Sequence, residues 1–116
     1  MKISRGTNRI VVLIGKYAVK IPNFINGHLL FLTGSLANYR EREYCRMMKN
    51  IPDLYNLVCP SLWCSWFGLI QIQKRAKPVN DELSDYEFSK FDSICDDLKN
   101  ENFGYYRGRL VCIDYG

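Results

Sequence analysis

The sequence predicts an α+β domain in which an antiparallel sheet of about four strands packs against one long helix. Three observations lead to this prediction: a pair of β-branched runs near the N-terminus, a helix-period stretch after them, and a second pair of short apolar runs. The length of 116 residues fits a single domain. An apolar content of 47% and an aromatic content of 14% favour a folded chain over a disordered one.

The first pair of runs predicts a β-hairpin. Residues 9–14 and 17–21 are rich in β-branched side chains and flank a short turn that contains Gly15. Pro22 ends the second strand, because proline cannot donate to a strand ladder. The polar residues 1–8 predict a loop or a frayed first strand.

The long helix is predicted to begin at Ser35 and to end at about Asn50. Ser35 is a suitable N-cap, helix-forming residues follow it, and Pro52 stops the pattern. The preceding segment, from Pro22 to Ser35, is expected to be mainly a loop. The apolar residues that recur at helical spacing predict a broad core stripe made of Leu36, Tyr39, Tyr44, Cys45, Met47, Met48 and Ile51.

The second half of the chain predicts another hairpin and a further helix. Residues 62–64 and 69–73 form the hairpin strands, with Phe67 and Gly68 near the turn. The basic residues that follow, within 74–79, indicate a solvated loop or an anion-binding patch. From residue 80 onward, apolar side chains recur at roughly helical spacing as far as Leu98.

The last twenty residues carry the polar groups that favour a metal or phosphate site. Asp97 and Asn102 are five positions apart, which suits a loop that curls back on itself. Residues 105–108 predict a turn and residues 109–113 a short buried strand. Asp114 follows that strand, where a carboxylate is well placed to bind Mg²⁺ through oxygen. The alternative is that Asp97 belongs to the last turn of the preceding helix.

This order of motifs resembles the protein-kinase-like superfamily. Asp97, Asn102 and the Asp-Tyr-Gly triplet at 114–116 have the spacing of the catalytic loop and metal-binding segment of that family. The run Tyr-Ala-Val-Lys at 17–20 is similar to the strand that carries the phosphate-contacting lysine. Compact kinase-like chains of this kind are also similar to small proteins encoded by bacteriophages.

The chain departs from the family pattern at three places. Cys95 and Asp96 stand where the family has His-Arg, and Gly6 stands alone where the family has a glycine-rich phosphate loop. The sequence ends at Gly116, so we do not expect the segments that follow the triplet in a full kinase.

The resemblance implies a minimal kinase-like domain spanning 1–116. It divides the chain into an N-lobe-like part at 1–73, a hinge-like part at 74–79 and a vestigial C-lobe at 80–116, made of a helix, a loop and a short hairpin. It also implies ATP and Mg²⁺ as cofactors. The implied roles are nucleotide binding by Lys20 with Glu41 or Glu43 as its acidic partner, catalysis by Asp97, and metal binding by Asn102 and Asp114. Of the two glutamates, Glu41 is the preferred partner.

Two functions follow from this resemblance. The first is a pseudokinase or protein-interaction module that acts on a protein partner, because we expect the phosphate lid and the peptide-docking segment of the family to be absent. The alternative is an ATP- and Mg²⁺-dependent phosphotransferase, an atypical kinase of proteins or small molecules.

Charge and cysteine content narrow the expected partners and location. The net charge of +4 is only mildly basic, so a nucleic acid is less favoured than a protein partner, and a nucleotide is possible. No apolar run is long enough to span a bilayer, and we expect no membrane partner. The five cysteines form no CxxC pair and predict reduced thiols, hence a cytoplasmic protein, in the host cytoplasm if the source is viral.

Overall fold

The computed structural model of the chain is an α+β domain with two antiparallel sheets and one long helix. It describes residues 2–5, 8–25, 27–95 and 98–115. The larger sheet has the order β1-β2-β3-β5-β4 and the smaller one β6-β7-β8. The strands are β1 (Lys2–Arg5), β2 (Arg9–Ile14), β3 (Tyr17–Pro22), β4 (Ser61–Cys64), β5 (Gln71–Lys74), β6 (Lys77–Pro78), β7 (Phe103–Tyr106) and β8 (Arg109–Cys112). The helices are α1 (His28–Met48), α2 (Pro52–Tyr55) and α3 (Asp85–Ser89), and the 3-10 turns are Trp66–Gly68 and Asn100–Asn102.

The larger sheet confirms both predicted hairpins and adds a strand. The β2–β3 hairpin pairs Val11 with Lys20, and β4 pairs with β5 across the predicted turn. The sheet has five strands where about four were predicted, because Lys2–Arg5 pairs with β2 as an edge strand, in line with the first-strand alternative given for residues 1–8. Edge strands are often polar and charged, which is why this segment lacked an apolar strand pattern.

The long helix begins seven residues earlier than predicted, at His28 instead of Ser35. The expected loop is therefore wrong over 28–35. Gly27 precedes the helix with a φ of 111° and no side chain caps it, so the sequence carried no capping signal. Ser35 is buried within the helix, where the backbone of Gly68 packs directly against it.

The predicted core stripe of α1 is wrong for most of its members. Cys45 and Met48 are buried, but the other predicted members are exposed: Leu36, Tyr39, Tyr44, Met47 and Ile51. The face that packs on the sheet is instead made of small or polar residues: Gly34, Ser35, Ala37, Asn38 and Glu41, together with Cys45 and Met48. This face contacts other polar groups, and the apolar side chains of the helix therefore lie on the opposite side.

The C-terminal half builds the apolar core. The predicted helix is shorter than expected: α3 ends at Ser89, and turns replace it as far as Ile94. The β7–β8 hairpin confirms the predicted strand at 109–112, but the turn is confined to Arg107 and Gly108. Phe91 and Phe103 meet edge to face, with ring centroids 4.8 Å apart, at the centre of this core.

Among the described residues, none of the helices is both long enough and apolar enough to cross a membrane.

Replacing Gly34 by Ala tests the close approach between α1 and β2. Alanine normally stabilises a helix relative to glycine by about 1 kcal/mol. Here a Cβ atom would clash with the carbonyl oxygen of Asn8, so we expect the variant to lose ~1–3 kcal/mol of unfolding free energy in urea titrations. The exposed neighbour Thr33→Ala is the control and should stay within about 0.5 kcal/mol of wild type. A gain of stability in Gly34→Ala would contradict the packing described here.

Candidate functional site

Lys20 lies in the middle of the larger sheet with its side chain buried against α1. Its strand, β3, is flanked by β2 and β5, and Lys20 is only 4% exposed. Lys20 is buried because α1 covers the sheet face on which Lys20 and Ala18 lie.

Glu41 is the acidic partner of Lys20. The Nζ atom of Lys20 donates to Oε1 of Glu41 over 2.8 Å, and Glu41 is fully buried. Glu43 lies on another face of the helix, where its carboxylate pairs with Arg46 over 3.1 Å at the surface. The preference for Glu41 over Glu43 as the partner of Lys20 is therefore confirmed.

Three further donors contact the Glu41 carboxylate. Gln71 Nε2 donates to Oε1 over 2.9 Å. The other oxygen, Oε2, accepts from the guanidinium of Arg9 over 2.8 Å and from the backbone N–H of Tyr115 over 2.9 Å. These donors come from β2, β5 and the segment after β8, so the carboxylate joins distant parts of the chain.

Arg9 was missed by the sequence analysis. It opens β2, is 5% exposed, and contacts the carboxylates of both Glu41 and Asp114. The pairing register of the β2–β3 hairpin could have predicted where the Arg9 side chain lies. Arg9 shares its strand face with Val11, and Val11 lies opposite Lys20, so the register places both cations on one face.

Asn38 connects the helix, the sheet and the Trp66–Gly68 turn. Its Nδ2 group donates to the carbonyl oxygens of Lys20 and Gly68 over 3.0 and 2.9 Å. Its Oδ1 atom accepts from Arg9 and from Gln71, each over 3.2 Å. Because all of these groups are buried, losing Asn38 would leave several polar atoms without a partner.

The segment after β8 is bound into the same cluster. The carboxylate of Asp114 contacts Arg9, and the carbonyl oxygen of Ile113 accepts from Lys20 Nζ. The Asp114 side chain is still 47% exposed, so one side of the carboxylate faces solvent. The predicted position of Asp114 at the exit of a buried strand is thus confirmed, whereas metal binding by this residue stays a prediction.

The other predicted site residues are only partly described. Asn102 is buried in the second 3-10 turn, and its carbonyl oxygen accepts from the N–H of Ile113 over 2.8 Å. Asn102 therefore lies close to the strand exit that carries Asp114. Asp97 and Gly116 lie outside the described residues, so the role of Asp97 as a catalytic base stays a prediction.

Burial and neighbouring charges together determine the pKa values of the ionisable groups in this cluster. Burial alone would raise the pKa of Glu41, but the attraction of Lys20 and Arg9 outweighs it and holds that pKa well below the ordinary value. Burial would lower the pKa of Arg9, but Glu41 outweighs it and raises the pKa. Burial raises the pKa of Asp114, and the attraction of Arg9 offsets only part of that rise. Arg9 and Glu41 therefore stabilise each other's charged forms, whereas burial raises the pKa of Asp114 and lowers the pKa of Lys20.

Few side chains in the cluster around Glu41 are placed to bind a metal ion. Over the described ranges, no group of three or more His, Cys, Asp or Glu side chains is arranged to hold one. Asp114 and Asn102 remain the predicted ligands, and their oxygen atoms are of the type that Mg²⁺ prefers.

Comparisons with protein-family models, with curated proteins and with solved structures find no match to this chain.

Replacing Glu41 by Gln tests the importance of the buried carboxylate. The change leaves Lys20 and Arg9 buried with too little negative charge, so we expect a loss of ~3–5 kcal/mol of unfolding free energy in urea titrations. Glu43→Gln is the matched control, because its ion pair is at the surface and is worth less than about 1 kcal/mol. Equal losses in the two variants would contradict the assignment.

The depressed pKa of Glu41 predicts a specific loss of stability in acid. A carboxyl group whose pKa is lower in the folded state stabilises the fold above its unfolded pKa of about 4.5, and this contribution is lost as the pH falls toward the folded value. The unfolding free energy of wild type should therefore fall below about pH 4.5 more steeply than that of Glu41→Gln. Parallel pH profiles for the two proteins would refute this linkage.

Proposed function

We propose that this chain is a kinase-like domain that acts as a pseudokinase, binding a protein partner instead of transferring phosphate. The observation that carries the proposal is the ion pair between Arg9 and Asp114, the predicted metal ligand. Arg9 also pairs with Glu41, the partner of Lys20. The carboxylate that a metal ion would need is thus already paired with a cation of the chain.

The kinase-like part of the proposal is supported by the order of the paired residues along the fold. A strand lysine forms an ion pair of 2.8 Å with a glutamate of the following long helix. Two strands follow that helix, and an Asp-Tyr pair follows a later hairpin and contacts the same glutamate. This is the order of parts that the resemblance to the superfamily implies.

The non-catalytic part of the proposal is supported by the position of Arg9. Phosphoryl transfer needs a carboxylate that holds Mg²⁺ and a lysine that meets the phosphates. Here the guanidinium of Arg9 contacts Asp114, the predicted metal ligand. A cation supplied by the chain itself competes with the metal for this carboxylate, which weakens metal binding.

An exposed apolar surface supports the binding of a protein partner. Four side chains on the outer face of α1 are exposed and follow one another at alternating spacings of three and four residues: Leu29, Leu32, Leu36 and Tyr39. Trp66 and Phe67, on the turn that packs against this helix, are 87% and 83% exposed. Apolar side chains at this spacing match the seam between two helices. On this proposal, an amphipathic helix of the partner covers them.

The second candidate function is an ATP- and Mg²⁺-dependent phosphotransferase. The Lys20–Glu41 ion pair favours it, because active kinases hold their phosphate-contacting lysine in this way. Asp97 would be the base, and Asn102 and Asp114 would hold the metal. This function requires Arg9 to leave Asp114 when the metal binds.

Thermal unfolding with millimolar ATP and Mg²⁺ separates the two functions. A ligand at a hundredfold excess over its dissociation constant stabilises a protein by ~2.7 kcal/mol, which raises the Tm of a domain of this size by about ten degrees. We expect no shift. A Mg²⁺-dependent rise that disappears in Lys20→Met but persists in the surface control Lys90→Gln would overturn the proposal and favour the phosphotransferase.

A further inference from the structure

Three segments that are distant in sequence converge on a groove away from the Glu41 cluster. They are the β2–β3 turn, the connection from β5 to β6, and the β7–β8 turn, and the cavity between them has a volume of ≈ 500 Å³. We call it the basic groove after the five cations that line it: Lys16, Lys74, Arg75, Lys77 and Arg107. The sequence showed three of these side chains in one short stretch but gave no indication that the other two join them.

Backbone hydrogen bonds fix the three segments relative to one another. The N–H of Arg75 donates to the carbonyl oxygen of Lys16 over 2.9 Å, and the guanidinium of Arg75 donates to the carbonyl oxygen of Gly15 over 3.3 Å. On the other side, Lys77 pairs with Tyr105 in the smaller sheet. The cations are therefore mounted on a preformed framework, which lowers the entropy cost of binding a ligand.

Among the described residues, no carboxylate forms an ion pair with the cations of the basic groove. None of the residues that line the groove is acidic. In the part of the chain that the structure describes, the ion pairs use Arg9, Lys20 and Arg46 as cations and none from the groove. A concave surface with five like charges concentrates anionic ligands near it.

Arg107 occupies a backbone conformation that arginine rarely adopts. Its φ is 52°, and that of Gly108 is 76°. Two successive positive φ values define the hairpin turn that favours Asn-Gly, so an arginine at the first position is strained. Its guanidinium lies over the Tyr106 ring, 5.5 Å from the centroid, on the side of the groove. Strained residues of this kind cluster at binding and active sites, so the strain at Arg107 motivates the hypothesis that its side chain has a function.

We propose that the basic groove binds an acidic segment, rich in Asp and Glu, of the partner protein. Carboxylates pair with the lysine and arginine heads, while Ala76 and Pro78 offer apolar contact to the stems of the ligand side chains. This inference rests on the proposed function as a partner-binding module, because it names the chemistry of that partner.

A single-stranded nucleic acid fits the groove less well. Nucleic-acid grooves offer open aromatic faces on which bases stack. Here cations already lie over the two nearby rings, with Lys74 over Tyr17 at 5.3 Å and Arg107 over Tyr106. The sequence pI of 8.8 is also below the value above 9 that is typical of nucleic-acid-binding domains.

Fluorescence anisotropy with a short labelled peptide of alternating Glu and Ala residues tests the inference. The matched peptide with Gln in place of each Glu and a short single-stranded oligothymidylate are the comparison probes. We expect the Glu peptide to bind most tightly, and its affinity to fall as the salt concentration rises, because screening weakens exposed charge pairs.

Two groove variants and one control make the test specific. Arg107→Gly removes a groove cation and relieves the strained φ, so this variant should unfold at the same Tm as wild type or higher. Lys77→Gln removes a second cation. We expect each change to weaken peptide binding about 2- to 5-fold and the double variant about 10-fold. Lys90→Gln removes a lysine that also lies over a tyrosine ring, that of Tyr86, but outside the groove, and should bind like wild type.

Four results would overturn the inference: no binding of the Glu peptide, equal binding of the Gln peptide, tighter binding of the oligonucleotide, or an equal loss in Lys90→Gln. A result that refutes the acidic ligand can be distinguished from a result that refutes the pseudokinase proposal. A Mg²⁺-dependent shift with ATP refutes the pseudokinase proposal whatever the peptide does. Absent peptide binding without an ATP shift refutes only the acidic ligand.

Discussion

The buried carboxylate of Glu41 is the constraint on which the rest of the structure depends. An ionised carboxylate without partners is too costly to bury, so the fold must bring donors to it. At least four arrive, from Arg9, Lys20, Gln71 and the backbone of Tyr115. These groups belong to three strands of the larger sheet and to the segment after the smaller one. Satisfying one carboxylate therefore fixes the helix on the sheet and joins the two sheets.

This constraint also determines the character of the long helix. The face of α1 that meets the sheet carries Asn38 and Glu41 among small residues, because polar partners and close backbone contacts lie there. The apolar side chains of the helix consequently face outward. The polar contact between helix and sheet and the exposed apolar surface of the helix thus have the same cause. The apolar core of the domain lies elsewhere, around Phe91 and Phe103. The proposed role in partner binding rests on this cluster, whose charges satisfy each other, and on the exposed apolar side chains of the helix.

Local patterns predicted the two hairpins and the position of Asp114 after a strand, because each depends on few residues and a fixed period. The pairing of Lys20 with Glu41 was implied by the resemblance to the kinase-like superfamily, not by a local pattern. The helix start was predicted wrongly, since Gly27 provides no side-chain cap. The stripe of α1 was also predicted wrongly, because periodicity identifies an apolar face but not the face that packs. Arg9 and the basic groove depend on contacts between distant segments, which no local pattern records. The kinase-like identity and the role of Asp97 stay predictions.

A double-mutant cycle between Lys20 and Glu41, measured by urea unfolding with and without MgATP, tests the central claim most directly. The single variants are Lys20→Met and Glu41→Gln, and the cycle isolates the energy of the pair from the effect of each side chain. The account predicts a coupling of about 2–3 kcal/mol that MgATP leaves unchanged, because the pseudokinase proposal assigns the pair to the fold and not to a nucleotide. A coupling near zero, or one that changes when MgATP is added, would contradict it.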